Sequence, residues 1–149
     1  LLRRYTREPV MKTKPYRGIP EMLAELEEKN IPMSILSNKA DPVARRVVER
    51  ILPGKRFAVV RLAVDGVAKK PDFRSALDIA ELMGVLPERI LFIGDSSVDM
   101  HTAGAAGMVA VGVSWGFRPP EELLREGAEL IIGEPREIPV RMNLKQGEV

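Results

Sequence analysis

The sequence predicts an α/β protein, built as a Rossmann-like parallel sheet with helices on both faces. Three observations carry this expectation: apolar runs of strand length, amphipathic stretches of helical length alternating with them, and Pro, Asp or Gly where elements should begin and end. The clearest unit is Leu91-Phe92-Ile93-Gly94-Asp95-Ser96-Ser97-Val98-Asp99-Met100. Ile90 to Ile93 reads as a buried parallel strand, Gly94 permits a sharp turn, and Ser96-Ser97 lead into a helix that closes at Gly107.

The remaining elements follow in order. A helix is expected from Pro20, a favoured first position, through Glu28, with Met22, Leu23 and Leu26 on its apolar side and Asn30 at its end. Pro32 to Leu36 follows as a strand. Asp41 and Pro42 supply the cap and first residue of a helix that turns Val43, Val47, Val48 and Ile51 inward before Pro53-Gly54 stops it. Phe57 to Leu62 is the next strand. Asp72 is expected to cap a helix through Met83, with Gly84 just past its end, and Pro87-Glu88-Arg89 turns into the strand that precedes Asp95. Val109 to Val113 makes another strand, a brief helix runs from Pro119 or Pro120 to about Glu126, and Leu130 to Ile132 is the last strand. The stretch after Pro139 reads as a weakly anchored tail.

At 149 residues and 45% hydrophobic, the chain suits one domain with one sizeable core. It has no apolar run long enough to span a bilayer and no signal-peptide pattern, so a cytoplasmic protein with no membrane partner is expected. The absence of cysteine excludes disulfides and thiolate chemistry. Lys and Arg number 23 against 21 for Asp and Glu, with the signs interspersed, which argues against a nucleic-acid partner. Charged residues reach 30%, while Asn30, Asn38, Asn143 and Gln146 are the sole amides, a composition leaning towards a thermophilic source.

Open parallel sheets gather their functional groups at the carboxyl ends of strands. Asp95 sits at such an end, and Asp99, one helical turn later, faces the same side. Two hard oxygen donors converge there, a pattern suited to Mg²⁺. The plainer reading makes Asp95 a cap and Asp99 a solvated first-turn acid. Ser37-Asn38 closes the first strand, where Ser37 and neighbouring amides suit phosphate oxygens, and Lys69-Lys70 in a later loop offers neutralising charge. Their plainer readings are an ordinary turn and a solvated basic pair. His101 reads as a surface residue of its helix, and Trp115 as a packing residue near a strand's carboxyl end.

Several stretches in order carry a family likeness: Lys14-Pro15-Tyr16-Arg17-Gly18-Ile19, Ile35-Leu36-Ser37-Asn38-Lys39, Lys70-Pro71-Asp72 and Ile93 to Met100, then Ala105-Ala106-Gly107-Met108 and Val113-Ser114-Trp115-Gly116-Phe117-Arg118. Together they resemble the haloacid dehalogenase superfamily, in particular its phosphoglycolate phosphatase-like members. The resemblance implies that Ser37 and the Asn38 backbone bind the transferring phosphoryl group. It also implies that Lys70, which directly precedes proline as the family's lysine does, stabilises charge on nucleophile and phosphate, with Lys69 a minor alternative. Asp95 would coordinate Mg²⁺, and Asp99 would serve as a second carboxylate, through water or by orienting the lysine. The implied substrate is a small phosphomonoester, with 2-phosphoglycolate the first candidate. Residues 1–18 would be the end of a cap domain and its return linker, residues 19–138 the core, and residues 139–149 a tail.

One part of the family pattern has no counterpart. Members attack phosphate with an aspartate at the end of a first strand, and a second aspartate two residues later moves protons. Leu1 to Ile19 contains no aspartate. The expectation is a chain lacking its parent's first strand and most of its cap, with the missing N-terminal segment of that parent as a partner. In the family that strand lies between those ending at Leu36 and Asp95, so the sheet should lack its centre. Ala63-Val64-Asp65-Gly66-Val67 has the shape of the nucleophile motif but follows Ser37, and reads as a turn. The alternative reading is a catalytically inactive relative that binds a phosphorylated ligand or partner. A phospho-accepting receiver domain fits less well, because its acidic residues precede its lysine.

Overall fold

The computed structural model describes residues 17–40, 45–46, 48–49, 57–63 and 69–147. Among these the elements follow the expected order: α1 (Ile19–Glu28), β1 (Ser34–Ala40), β2 (Val59–Ala63), α2 (Arg74–Met83), β3 (Leu91–Gly94), α3 (Ser97–Ala106), β4 (Val109–Val113), α4 (Pro120–Arg125), β5 (Leu130–Ile132) and α5 (Glu137–Gly147). A 3-10 turn, Pro87–Arg89, precedes β3. The helix expected over 41–51 and the turn over 64–67 fall largely outside the described residues.

Local chemistry sets most of the boundaries. α1 carries Pro20 in its first turn and buries Met22, Leu23 and Leu26. Asn30, at φ 56°, takes the left-handed conformation that ends it, and the Ile31 N–H donates back to the Leu26 carbonyl at 3.0 Å. α3 starts on Ser96, whose Oγ accepts from the Asp99 N–H, and stops at Gly107. α2 departs from expectation, since Phe73 rather than Asp72 occupies the capping position. Asp72 Oδ1 instead accepts the Arg74 N–H at 2.9 Å, two residues on, and its carboxylate pairs with the Arg74 guanidinium. Those bonds hold the Asp72 carboxyl below its usual range. An Asx turn of this kind starts the helix one residue late.

The strands form two parallel sheets rather than one. β1 pairs with β2 through Ser34↔Val59, Ile35↔Val60 and Leu36↔Arg61, with an irregularity before Ala40↔Ala63. β3, β4 and β5 form the second sheet in that order. β1 thus starts later than the expected Pro32 and continues past Leu36 through Ser37 and Asn38. β4 shows how the layers divide, because its side chains alternate between faces. Val109 and Val111 join α1 residues and Ile138, whereas Ala110 joins Ala76, Met100, Ala103 and Leu123 from the helices opposite.

The tail is also more ordered than its sequence suggests. α5 buries Ile138 and Pro139, and Met142 packs against the cluster that α1 contributes to. Glu137 Oε2 accepts the Gly133 and Glu134 N–H groups at 2.6 and 3.0 Å, which satisfies donors at the start of the helix and holds its carboxyl below the usual value. Pro139 stands in the first turn, where its missing N–H costs nothing. Among the described residues no helix is long and apolar enough to cross a membrane.

β1 and β3 are not hydrogen-bonded to each other. A cavity of about 270 Å³ lies between them, walled by Leu36 of β1, Phe92 and Ile93 of β3, Leu23 of α1 and Ile79 of α2. Strands therefore bound it on two sides and the two helical layers on the others. It coincides with the position that the sequence reading leaves without a strand.

Leu123 is fully buried, and a Cβ added at Gly112 of β4 would lie 2.9 Å from its Cδ1. Leu123→Ala should therefore cost about 2–5 kcal/mol in denaturant unfolding. Leu124→Ala, at a side chain 52% exposed, should stay within about 0.5 kcal/mol.

Candidate active site

The loop from β2 to α2, the end of β1 and the start of α3 meet at the strands' carboxyl ends. Asn38 of β1 reaches the loop with both ends of its amide: Nδ2 donates to the Lys70 carbonyl and Oδ1 accepts the Lys70 N–H, each at 3.0 Å. The main chain of Lys70 is fixed from both sides, and its side chain extends inward. Lys70 Nζ donates to Asp99 Oδ1 at 2.6 Å, with the two side chains only 13% and 10% exposed. The Lys70-Pro71 peptide is cis.

Asp99 is the best-connected carboxylate of the group. Its second oxygen, Oδ2, accepts the Asp95 N–H at 3.1 Å and the Ser96 hydroxyl at 3.0 Å, while the Ser96 oxygen caps the Asp99 N–H. Ser96 caps the helix while Asp99 reaches back past it to the Asp95 amide, which ties the first turn of α3 to the end of β3. The approach is close: a Cβ at Gly94 would lie 2.3 Å from the Asp99 Cβ, so no side chain fits there.

Asp95 faces the loop after β4. Its Oδ2 accepts the Phe117 N–H at 3.1 Å and its carbonyl accepts the Arg118 N–H at 3.2 Å. Oδ1 accepts no hydrogen bond among the described residues. A Cβ at Gly116 would lie 2.2 Å from the Asp95 Cβ, a second position closed to side chains.

The expected residues are thus Ser37 and Asn38 in β1, Lys70 beside them, and Asp95 and Asp99 at the turn from β3 into α3. Lys70, Asn38 and Asp99 are joined by direct bonds, Asp95 meets Asp99 through its amide, and Ser37 adjoins Asn38 in the chain. Lys69, the minor alternative, is exposed. Sequence reasoning gave Asn38 a backbone role and missed its side-chain hold on Lys70. It also missed the Phe117 amide and the Gly116 approach, although Trp115-Gly116-Phe117 had been singled out as a motif. Trp115 packs against the α1 side of the core, and His101, 52% exposed at its side chain, pairs with Glu126 at 2.7 Å. No cluster of three or more His, Cys, Asp or Glu residues able to hold a metal occurs among the described residues.

The Lys70–Asp99 pair makes a stability prediction. Asp99→Ala strands a nearly buried ammonium and should cost about 3–5 kcal/mol. The Lys70→Met, Asp99→Ala double variant should recover part of that loss, and a double-mutant cycle by denaturant unfolding should give a coupling above about 0.5 kcal/mol.

Comparison with known proteins accords with this geometry. The Haloacid dehalogenase-like hydrolase family matches residues 1–113. The N-acetylmuramic acid 6-phosphate phosphatase of Pseudomonas aeruginosa is 31% identical over 138 residues, covering 92% of the chain and 61% of that relative. The phosphoglycolate phosphatase of Escherichia coli K12 is 34% identical over 105 residues, covering 70% of the chain and 42% of the relative. Among solved structures, a Lactobacillus delbrueckii protein assigned as a phosphoglycolate phosphatase superposes with a TM-score of 0.82 at 28% identity, over 89% of this chain and 55% of the other. The chain therefore spans between 42% and 61% of the length of these relatives. Motif order, sheet topology and family match agree: the chain belongs to the haloacid dehalogenase-like hydrolases.

Proposed function

We propose that the chain carries the catalytic core of a Mg²⁺-dependent phosphatase acting on a small phosphomonoester, in a cytoplasmic setting. The observation that carries this reading is the inward-pointing Lys70, held by Asn38 at its main chain and by Asp99 at its ammonium, beside Asp95, one of whose oxygens accepts no hydrogen bond among the described residues. Phosphoryl transfer rests mainly on positioning and charge neutralisation, which such a lysine supplies.

Asp95 suits a hard cation, since Mg²⁺ binds through one or two carboxylates and completes its shell with water and phosphate oxygens. Mg²⁺ bound there would supply positive charge against the phosphate. Asp99 has both oxygens engaged, which favours holding the lysine over contacting the cation directly. In this reading Ser37 and the Asn38 amide receive the phosphoryl oxygens.

The attacking group is assigned to a segment that fills the cavity between β1 and β3. An apolar parallel strand there would complete the sheet, and an aspartate at its carboxyl end would face Lys70. Attack on phosphorus would displace the alcohol as an aspartyl-phosphate forms, and water would then release inorganic phosphate and restore the carboxylate. That strand is assigned to the missing N-terminal segment of the same parent protein. The relatives' names point to two substrates, and 2-phosphoglycolate is the first candidate with N-acetylmuramic acid 6-phosphate beside it.

Two experiments test the reading. The protein expressed from its own gene should release phosphate from at least one of these esters only with Mg²⁺, and Asp95→Asn should lower kcat/KM by about a hundredfold or more. Unchanged turnover would remove Asp95 from the cation site, and phosphate binding without turnover would favour the inactive-binder alternative. Separately, the 149-residue chain alone should melt broadly and bind a hydrophobic dye, whereas the chain joined to its preceding segment should melt in one cooperative step. A cooperative melt of the monomeric isolated chain would contradict the missing-strand assignment.

A further inference from the structure

We infer that the loop Gly116–Arg118 is a positioning element that sets the angle of the Asp95 carboxylate and thereby selects Mg²⁺ over larger cations. The inference rests on the assignment of Asp95 to the cation. It begins from the asymmetry of that carboxylate, whose Oδ2 is held by the Phe117 N–H at 3.1 Å while Oδ1 accepts no hydrogen bond among the described residues. One fixed oxygen defines the direction of the other. The Arg118 N–H on the Asp95 carbonyl, at 3.2 Å, fixes the main chain from the same loop.

The loop is braced in turn. The Arg118 guanidinium makes a two-pronged pair with Glu122 in the first turn of α4, through Nε to Oε2 and through a second nitrogen to Oε1 at 2.9 Å. That pair raises the Arg118 pKa and holds the Glu122 carboxyl below its usual range. Leu123, the next residue, is fully buried, so the brace ends in the core. Gly116 completes the arrangement from the steric side, because a Cβ there would also lie 2.8 Å from Asp95 Oδ2. Any side chain at 116 must push the loop off Asp95, since the added Cβ would lie 2.2 Å from the Asp95 Cβ, and the carboxylate then loses its brace. The Phe117 ring is 64% exposed, so the amide rather than the side chain makes the contact that matters.

Cation choice follows from this rigidity. Mg²⁺ demands near-ideal octahedral geometry at short distances, whereas Ca²⁺ accepts variable geometry at longer ones. A carboxylate released from its brace should therefore lose Mg²⁺ first. Outer partners of a metal ligand are worth about 10–100-fold in affinity.

The test is calorimetric titration of the protein expressed from its own gene with Mg²⁺ and with Ca²⁺, alongside melting without either ion. Phe117→Pro, which deletes the N–H, and Gly116→Ala should each weaken Mg²⁺ binding at least about tenfold and Ca²⁺ binding much less. Phe117→Ala keeps the N–H and should retain the affinity for Mg²⁺. Asp95→Asn separates this inference from the assignment beneath it. If Asp95→Asn abolishes binding while Phe117→Pro and Gly116→Ala bind Mg²⁺ as the unmodified protein does, the inference fails and the cation assignment stands. Unchanged binding by Asp95→Asn overturns both. An equal loss for the two ions, or a loss shared by Phe117→Ala, reduces the loop to a structural role and overturns the inference.

Discussion

The Lys70–Asp99 ion pair joins parts of the chain that the sheet leaves apart. β1 and β3 share no hydrogen bonds, yet Asn38 at the end of β1 grips the main chain of Lys70, whose ammonium reaches Asp99 at the start of α3. A polar bridge therefore links the two sheets where no strand ladder joins them. Withdrawing two opposite charges from water is costly, and the attraction between them offsets that cost only if the remaining lone pairs find donors. Asp99 meets this condition through the Asp95 amide and the Ser96 hydroxyl. The cohesion of this corner thus draws on one carboxylate.

Much of this arrangement was legible in the sequence, because the signals involved are local. Apolar runs bounded by Pro, Asp and Gly located the strands and helices, and the spacing of Asp95 and Asp99 put both on one side of the turn from β3 to α3. What escaped depends on distance along the chain or on small energetic preferences. The Asn38 amide meets Lys70 from 32 residues away, and no periodicity encodes such a pairing. Asp72 still bonds the first amide of α2, that of Arg74, but Phe73 takes the boundary position, a one-residue shift too small for the sequence pattern to fix. The tail looked unanchored because its polar residues hide a short apolar face, Ile138, Pro139 and Met142, which α1 is placed to receive.

The divided sheet also explains how two layers of helices remain in place around a gap. Each layer has its own cluster, one built on Ala76, Met100 and Leu123 and the other on Leu23, Val111 and Ile132. β4 contributes to both through alternate residues, so the three-stranded half takes part in each layer. The two-stranded half has less support of its own. Ser34 reaches Met83 and Arg61 reaches Asp78, both on α2, which makes that helix the main prop beneath it.

Gly94 and Gly116 look equivalent, as two places where the backbone passes too close to a carboxylate to carry a side chain. They serve different masters. Gly94 lies against Asp99, whose bonds hold the fold together, so any descendant that keeps the fold must keep that glycine. Gly116 lies against Asp95, whose open oxygen contributes nothing to cohesion among the described residues. A lineage that lost the Asp95 carboxylate would still be bound by both, because each added Cβ would meet another Cβ, 2.2 Å away at Asp95 and 2.3 Å away at Asp99. The pair thus records the path of the backbone around the turn and its neighbouring loop, a constraint that outlasts any exchange of the carboxylates themselves.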